Sequence, residues 1–136
     1  MKKTSVIRKE HFNSAHRLHN PNWSDEKNLS FYGKCNNPNF HGHNYDLEVT
    51  VTGITDEESG YLIDMKKLSN LIKKEVLDCF DHKNLNLDVV EFQNLNPTAE
   101  NISKVIYDKL RKQLDLKFEL KIKLYETERN IVVYPA

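Results

Sequence analysis

Residues 41–52 read HGHNYDLEVTVT, and this run constrains the fold more than any other part of the chain. From Asp46 onward the apolar residues Leu47, Val49 and Val51 alternate with polar ones, the period of a half-buried strand. Side chains at i and i+2 of a strand leave the same face, so the imidazoles of His41 and His43 point one way. Gly42 between them removes a side chain that would crowd the opposite face. Two histidines on one strand face are a common way for a sheet to present nitrogen ligands to zinc. Cys35 lies six residues ahead of His41, among the turn formers Asn and Pro. It is open to two readings, a third metal ligand or a thiol kept free for chemistry.

The rest of the chain supplies a sheet for that strand to join. Residues 5–17 read as a first strand, followed by a polar loop over 19–34 that closes at Gly33, and the second strand runs to Gly53. Asp64 can cap a helix over 65–79, in which Leu68, Leu71, Ile72, Val76 and Cys79 follow the i, i+3, i+4 pattern of one apolar face. A loop through FDHKNLNLD leads to Pro97-Thr98, the start signal of a second helix over 98–114 with Ile102, Val105, Ile106, Leu110 and Leu114 as its stripe. Strands over 118–126 and 129–134 close the chain. The order ββααββ predicts an α+β fold, an antiparallel four-stranded sheet with both helices on one face. Such a sheet leaves open edges, and pairing them between subunits is one way to remove them.

At 136 residues the chain is long enough for one domain and one core. Lys plus Arg number 20 and Asp plus Glu number 20, so there is no charge excess to favour nucleic acid or an anionic membrane. The start MKKTSVIRK lacks the apolar segment of a signal peptide, and no apolar run approaches the ~20 residues that cross a bilayer. A soluble cytoplasmic setting is the expectation, with Cys35 and Cys79 both reduced.

Three more positions carry candidate chemistry. In the first strand Phe12, Ser14 and His16 share a face. A lone histidine there would more often be a hydrogen-bonded core residue than a ligand. Beside His41 and His43 it completes a set of three histidines, which leaves zinc one open position for substrate. His11 and His19 have no such support and read as ordinary polar residues. Asp81-His82 reads either as a polar turn that ends the first helix or as a carboxylate orienting a histidine for proton transfer. Glu126 ends the otherwise apolar face of Phe118, Leu120, Ile122 and Leu124. A carboxylate there is costly unless it is exposed at the strand end or paired with N–H donors of a ligand.

The segments FNSAHRL (12–18), YGKCNNPNFHGHNY (32–45), FDHKNLN (80–86), PTAEN (97–101) and LYETERNIVVY (124–134) together resemble the 6-pyruvoyl-tetrahydropterin synthases, a family related to the 6-carboxy-tetrahydropterin synthases of queuosine biosynthesis. They keep the family's order and cover nearly the whole chain as one pterin synthase domain. The resemblance implies a tunnelling fold whose sheets join into a barrel in a trimer, with two trimers stacked as a hexamer and the sites at subunit junctions. It implies 7,8-dihydroneopterin triphosphate as substrate and Zn2+ held by His16, His41 and His43. Cys35 would be the general base, its thiolate favoured by the cation and by a charged His82. Asp81 and His82 would handle protons, and Glu126 would grip the pterin edge. Thr98 and Glu100 match pterin-pocket positions, although capping and charging a helix start would equally explain them. Cys79 matches nothing catalytic and reads as core. The chain departs from the pattern at Phe40, in place of glycine, and at Ala99, in place of a hydroxyl residue. Two alternatives stand beside this reading: a 6-carboxy-tetrahydropterin synthase using the same residues and substrate, and a non-catalytic binding module with a structural zinc.

Overall fold

A computed structural model describes residues 2–136. Strand β1 (Thr4–His16) and strand β2 (His41–Gly53) pair antiparallel along their whole length, from Thr4 opposite Gly53 to His16 opposite His41. The alternation read from the sequence sets which face is covered: Tyr45, Leu47, Val49 and Val51 are all fully buried. Gly42 is needed for close approach, since a Cβ there would lie 3.2 Å from the Ser14 carbonyl oxygen on β1.

The connection between them is not the plain loop expected over 19–34. Ser24 caps a short helix, α1 (Asp25–Tyr32), which runs into a 3-10 turn (Gly33–Asn36). No apolar stripe announces α1, because it is tied down by an amide. Asn28 is fully buried, accepts from the Asn20 N–H at 2.7 Å and donates to the Asn20 carbonyl at 2.9 Å.

The next helix begins at the expected cap, with Asp64 accepting from the N–H groups of Lys66 and Lys67. It runs as α2 (Met65–Ile72), a π turn (Lys73–Leu77) and α3 (Asp78–Phe80). The buried residues Leu68, Ile72, Val76 and Phe80 are spaced by four, which drifts around a regular helix. A wider π turn takes up that drift and keeps all four on the core side.

The segment read as a loop after Phe80 holds two further elements, β3 (Lys83–Asn84) and α4 (Leu85–Asp88). β3 pairs parallel to Ser14 and Ala15 of β1, so the sheet has five strands instead of four. Thr98 caps α5 (Ala99–Arg111), and its buried Ile102, Ile106 and Leu110 carry the expected stripe. β4 (Glu119–Tyr125) and β5 (Ile131–Tyr134) complete the order β3-β1-β2-β4-β5. Leu120, Ile122 and Leu124 of β4 lie opposite Val51, Val49 and Leu47 of β2, and the helices close over this one face. The fold is α+β, as expected. Among the described residues no helix is long and apolar enough to cross a membrane.

Candidate active site

The β1–β2 register builds the centre of the site. His16 lies opposite His41, Ser14 opposite His43 and Phe12 opposite Tyr45, which gathers the three histidines on the helix-covered face. Each offers one ligand atom, and the three atoms lie within 4.8 Å of one another. Nε2 of His16 is 3.0 Å from Nε2 of His41. With Zn–N bonds near 2.0–2.1 Å, a tetrahedral centre needs ligand nitrogens roughly 3.3 Å apart, so a small ion fits with little movement.

The protonation pattern suits a metal. His16 is buried and its Nδ1 lies 2.8 Å from the Pro97 carbonyl oxygen. A carbonyl only accepts, so Nδ1 carries the proton and Nε2 keeps its lone pair for a cation. Burial pulls the His16 pKa down to about 4, against the Pro97 bond and with help from His41 and His43. Burial and then His43 lower the pKa of His41 as well. Neutral imidazole is the form that binds a metal. Nδ1 of His41 and Nε2 of His43 are buried without a hydrogen-bond partner, a cost that coordination of the His43 nitrogen would remove.

Cys35 sits in the 3-10 turn, half-buried, its carbonyl accepting from the Leu18 N–H at 2.9 Å. It is not among the clustered ligand atoms, which favours the reading as a free thiol. Burial first, and Glu126 second, push its pKa up, and His82 does not offset them within one chain. Tyr45, whose hydroxyl lies 3.4 Å from Nδ1 of His16, is raised by burial and by the same Glu126 and Cys35. Glu126 and Cys35 therefore share the surroundings of the histidine cluster.

Both readings of Asp81-His82 describe the same geometry. Asp81 ends α3 and accepts from the Asn13 N–H of β1 at 2.8 Å, and the His82 N–H donates to the Asn13 carbonyl at 2.6 Å. His82 adopts a left-handed backbone, φ 59°, and its Nδ1 lies 3.0 Å from the other Asp81 oxygen. The Asn13 N–H is the main cause holding the Asp81 pKa below its usual range, with His82 contributing less. The His82 side chain is 82% exposed. Among the described residues the pair bonds to β1 and to itself, not to Cys35.

Glu126, Thr98 and Glu100 line one cavity of about 550 Å3, together with Phe31, Tyr32 and Arg129. The Thr98 hydroxyl is engaged in capping, accepting from the Asn101 N–H at 3.1 Å. Cys79 packs partly buried against the core, as expected. Three participants escaped the sequence reading: the Pro97 carbonyl, the Tyr45 hydroxyl and the aromatic wall of Phe31 and Tyr32. Pro97 acts through its backbone, which leaves no residue-type signal. Tyr45 shares the parity of His41 and His43, and that was the available clue.

Comparison with known proteins points to one family. The family described as 6-pyruvoyl tetrahydropterin synthase matches residues 5–136. The 6-pyruvoyl tetrahydrobiopterin synthase of Homo sapiens is 43% identical over 129 residues, 95% of this chain and 89% of the human protein. That of Dictyostelium discoideum is 42% identical over 135 residues, 98% of each chain. The solved structure of Caenorhabditis elegans 6-pyruvoyl tetrahydropterin synthase superposes with a TM-score of 0.92 at 38% identity, covering 98% of this chain and 96% of that one. A family match over residues 5–136, with relatives more than 40% identical over nearly the whole chain, makes this protein a member of the 6-pyruvoyl tetrahydropterin synthase family.

Proposed function

We propose that the protein is a zinc-dependent lyase that converts 7,8-dihydroneopterin triphosphate to 6-pyruvoyl-tetrahydropterin and inorganic triphosphate. The observation that carries this reading is the convergence of His16, His41 and His43 beside Cys35 and Glu126 in a chain matched end to end by 6-pyruvoyl synthases. The single family match over residues 5–136 supports one catalytic unit in one domain.

Bound at the three histidines, zinc would act as a Lewis acid toward the substrate side-chain hydroxyls and as a cation favouring the Cys35 thiolate. The carboxylate of Glu126 accepts hydrogen bonds from the N–H edge of the pterin and fixes which side-chain carbon faces the thiol. Glu100 and Thr98 border that pocket. Cys35 takes the C–H proton. The electron pair left behind expels triphosphate as the C–O bond breaks, and tautomerisation then gives the diketo side chain with no external oxidant. A thiol pushed up by its surroundings gives a thiolate that is correspondingly basic once formed. Asp81 holds His82 by Nδ1, leaving Nε2 to exchange protons at the other end of the side chain.

Within one chain His82 is exposed and does not meet Cys35, so the reading includes a site completed by a neighbouring subunit. β5 forms an open edge of the sheet with Ile131 43% and Val133 40% exposed. Such an edge suits strand pairing between chains, and we assign a trimeric barrel with two barrels stacked as a hexamer. Incubating zinc-loaded protein with the substrate and identifying the products by mass spectrometry tests the reaction. Equal amounts of 6-pyruvoyl-tetrahydropterin and triphosphate are expected. Acetaldehyde with 6-carboxy-tetrahydropterin would overturn the product assignment.

A further inference from the structure

A second cavity, about 750 Å3, is lined by residues next to the histidine cluster in the chain. Arg17 and Phe40, the chain neighbours of His16 and His41, line it, as does Pro97, whose carbonyl holds His16. Tyr32 lines both this cavity and the one containing Glu126, so the two share a wall. Their chemistry differs. The Glu126 cavity carries two carboxylates, whereas the larger one is lined by Arg17, His19 and several side-chain amides and by no carboxylate at all.

Arg17 is the informative residue. Its backbone is pinned to Asn86 on both sides, the Arg17 N–H donating to Oδ1 at 2.8 Å and the Arg17 carbonyl accepting from Nδ2 at 2.9 Å. Its Nε donates to the Asn36 carbonyl at 2.9 Å. Among the described residues neither terminal guanidinium nitrogen has a hydrogen-bond partner, and no acid pairs with it. A guanidinium anchored by Nε and open at both Nη groups is prepared for a bidentate oxyanion.

The same residue arranges His19. Asn36 is buried, and its Nδ2 donates to Nδ1 of His19 at 2.9 Å and to the Leu18 carbonyl at 2.8 Å. Nδ1 of His19 is thus an acceptor, and Nε2 carries the ring proton. The His19 backbone is held in turn by Asn96, whose Nδ2 donates to the Tyr32 hydroxyl at 3.1 Å. Asn36 follows Cys35 directly, so one buried residue links the thiol-bearing turn to both donors of the cavity, through its carbonyl to Arg17 and its side-chain amide to His19.

We propose that Arg17 and His19, positioned by Asn36, form the subsite for the triphosphate chain of the substrate. Resting on the reaction proposed above, this places the pterin in the Glu126 cavity, the side chain across the histidines and the leaving group in the larger cavity. His19 then is a binding residue instead of the ordinary polar residue that its place in the sequence suggests.

Inorganic triphosphate titrated into zinc-loaded protein, with metal content checked afterwards, tests the subsite. Wild-type protein is expected to bind it, and triphosphate is expected to compete with substrate during turnover. Arg17→Gln and His19→Gln are each expected to weaken triphosphate binding roughly 10- to 100-fold, the usual loss with a hydrogen bond to a charged group. KM should rise similarly, while dihydroneopterin, which lacks the phosphates, binds as to wild type. Arg17→Lys, keeping the charge without the fork, should recover part of the loss. Gln at position 17 retains an N–H for Asn36, and if that variant fails to fold His19→Gln alone carries the test. Wild-type protein that binds no triphosphate, variants that bind it normally, or an equal loss of dihydroneopterin overturns the subsite. Arg17-dependent triphosphate binding without pyruvoyl product would overturn the reaction and leave the subsite standing.

Discussion

The three histidines should behave alike toward metal and differently toward stability. On the zinc assignment proposed above, replacing any one with alanine removes one of three ligands, so each variant should lose most of its zinc, and activity with it. In metal-free protein the same substitutions separate. His16 is 1% exposed and fully bonded through Pro97, and His16→Ala both opens a cavity and leaves a buried carbonyl without its donor. Loss of a buried ring and an orphaned acceptor together cost roughly 2–4 kcal/mol. For a domain of 136 residues each kcal/mol lowers Tm by about 3–5 °C. His43 instead keeps a buried Nε2 with no partner, so His43→Ala removes an unsatisfied group and should cost less than about 1 kcal/mol. Acid should act on the same residue. The His16 pKa is about 4 in the folded chain against 6.5 in the unfolded one, so the unfolded state takes up the proton first. Metal-free protein therefore loses stability as pH falls from about 6.5 to 4, by up to roughly 3 kcal/mol at 1.36 kcal/mol per unit, and the loss levels off below. Thermal melts in chelator across this pH range, beside metal analysis of each variant, make the comparison. A His16→Ala protein with one zinc per chain, or equal melting of the three metal-free variants, refutes the reasoning.

Cys35→Ala should keep zinc and bind substrate but lose ~10²–10⁴ in turnover, as expected for removal of a general base; parallel loss of metal would make Cys35 a ligand. Cys35→Ala and Asp81→Ala proteins, each inactive alone, should regain partial activity when dissociated and reassembled together, and no recovery in demonstrably mixed oligomers would mean that each chain builds its own site. Phe40 holds φ 68° with a bulky side chain, where glycine is at ease. Phe40→Gly should leave stability unchanged or raise it by up to about 1 kcal/mol in a denaturant melt, and a loss above about 2 kcal/mol would show that ring packing outweighs the backbone strain.

The fold was legible where burial imposes a period. β2 shows its alternation openly, Leu68, Ile72 and Val76 mark the first long helix, and Ile102, Ile106 and Leu110 mark α5. What stayed hidden lacks a period. α1 is secured by the amide of Asn28, and β3 is two residues long, set beside β1 by the left-handed turn at His82. The histidine cluster was readable because parity within β1 and β2 predicts shared faces. That His16 falls opposite His41 required the register itself. Contacts made through backbone atoms, such as Pro97 to His16 and Asn13 to Asp81, have no signature in residue type. Within one chain the Cys35 thiol is raised by burial and by Glu126, a neighbourhood set by the fold and not by residue type.

The tie between Asp81 and Asn13 has a consequence for stoichiometry. Asn13 precedes His16 by three residues on β1, roughly 10 Å of extended strand, and the carboxylate beside His82 is fastened at that distance from the histidine cluster. On the assignment proposed here, a chain thus carries two halves of different catalytic centres, and a solitary chain carries no whole one. Specific activity should then depend on protein concentration, falling on dilution as assemblies come apart and returning when the chains are concentrated again.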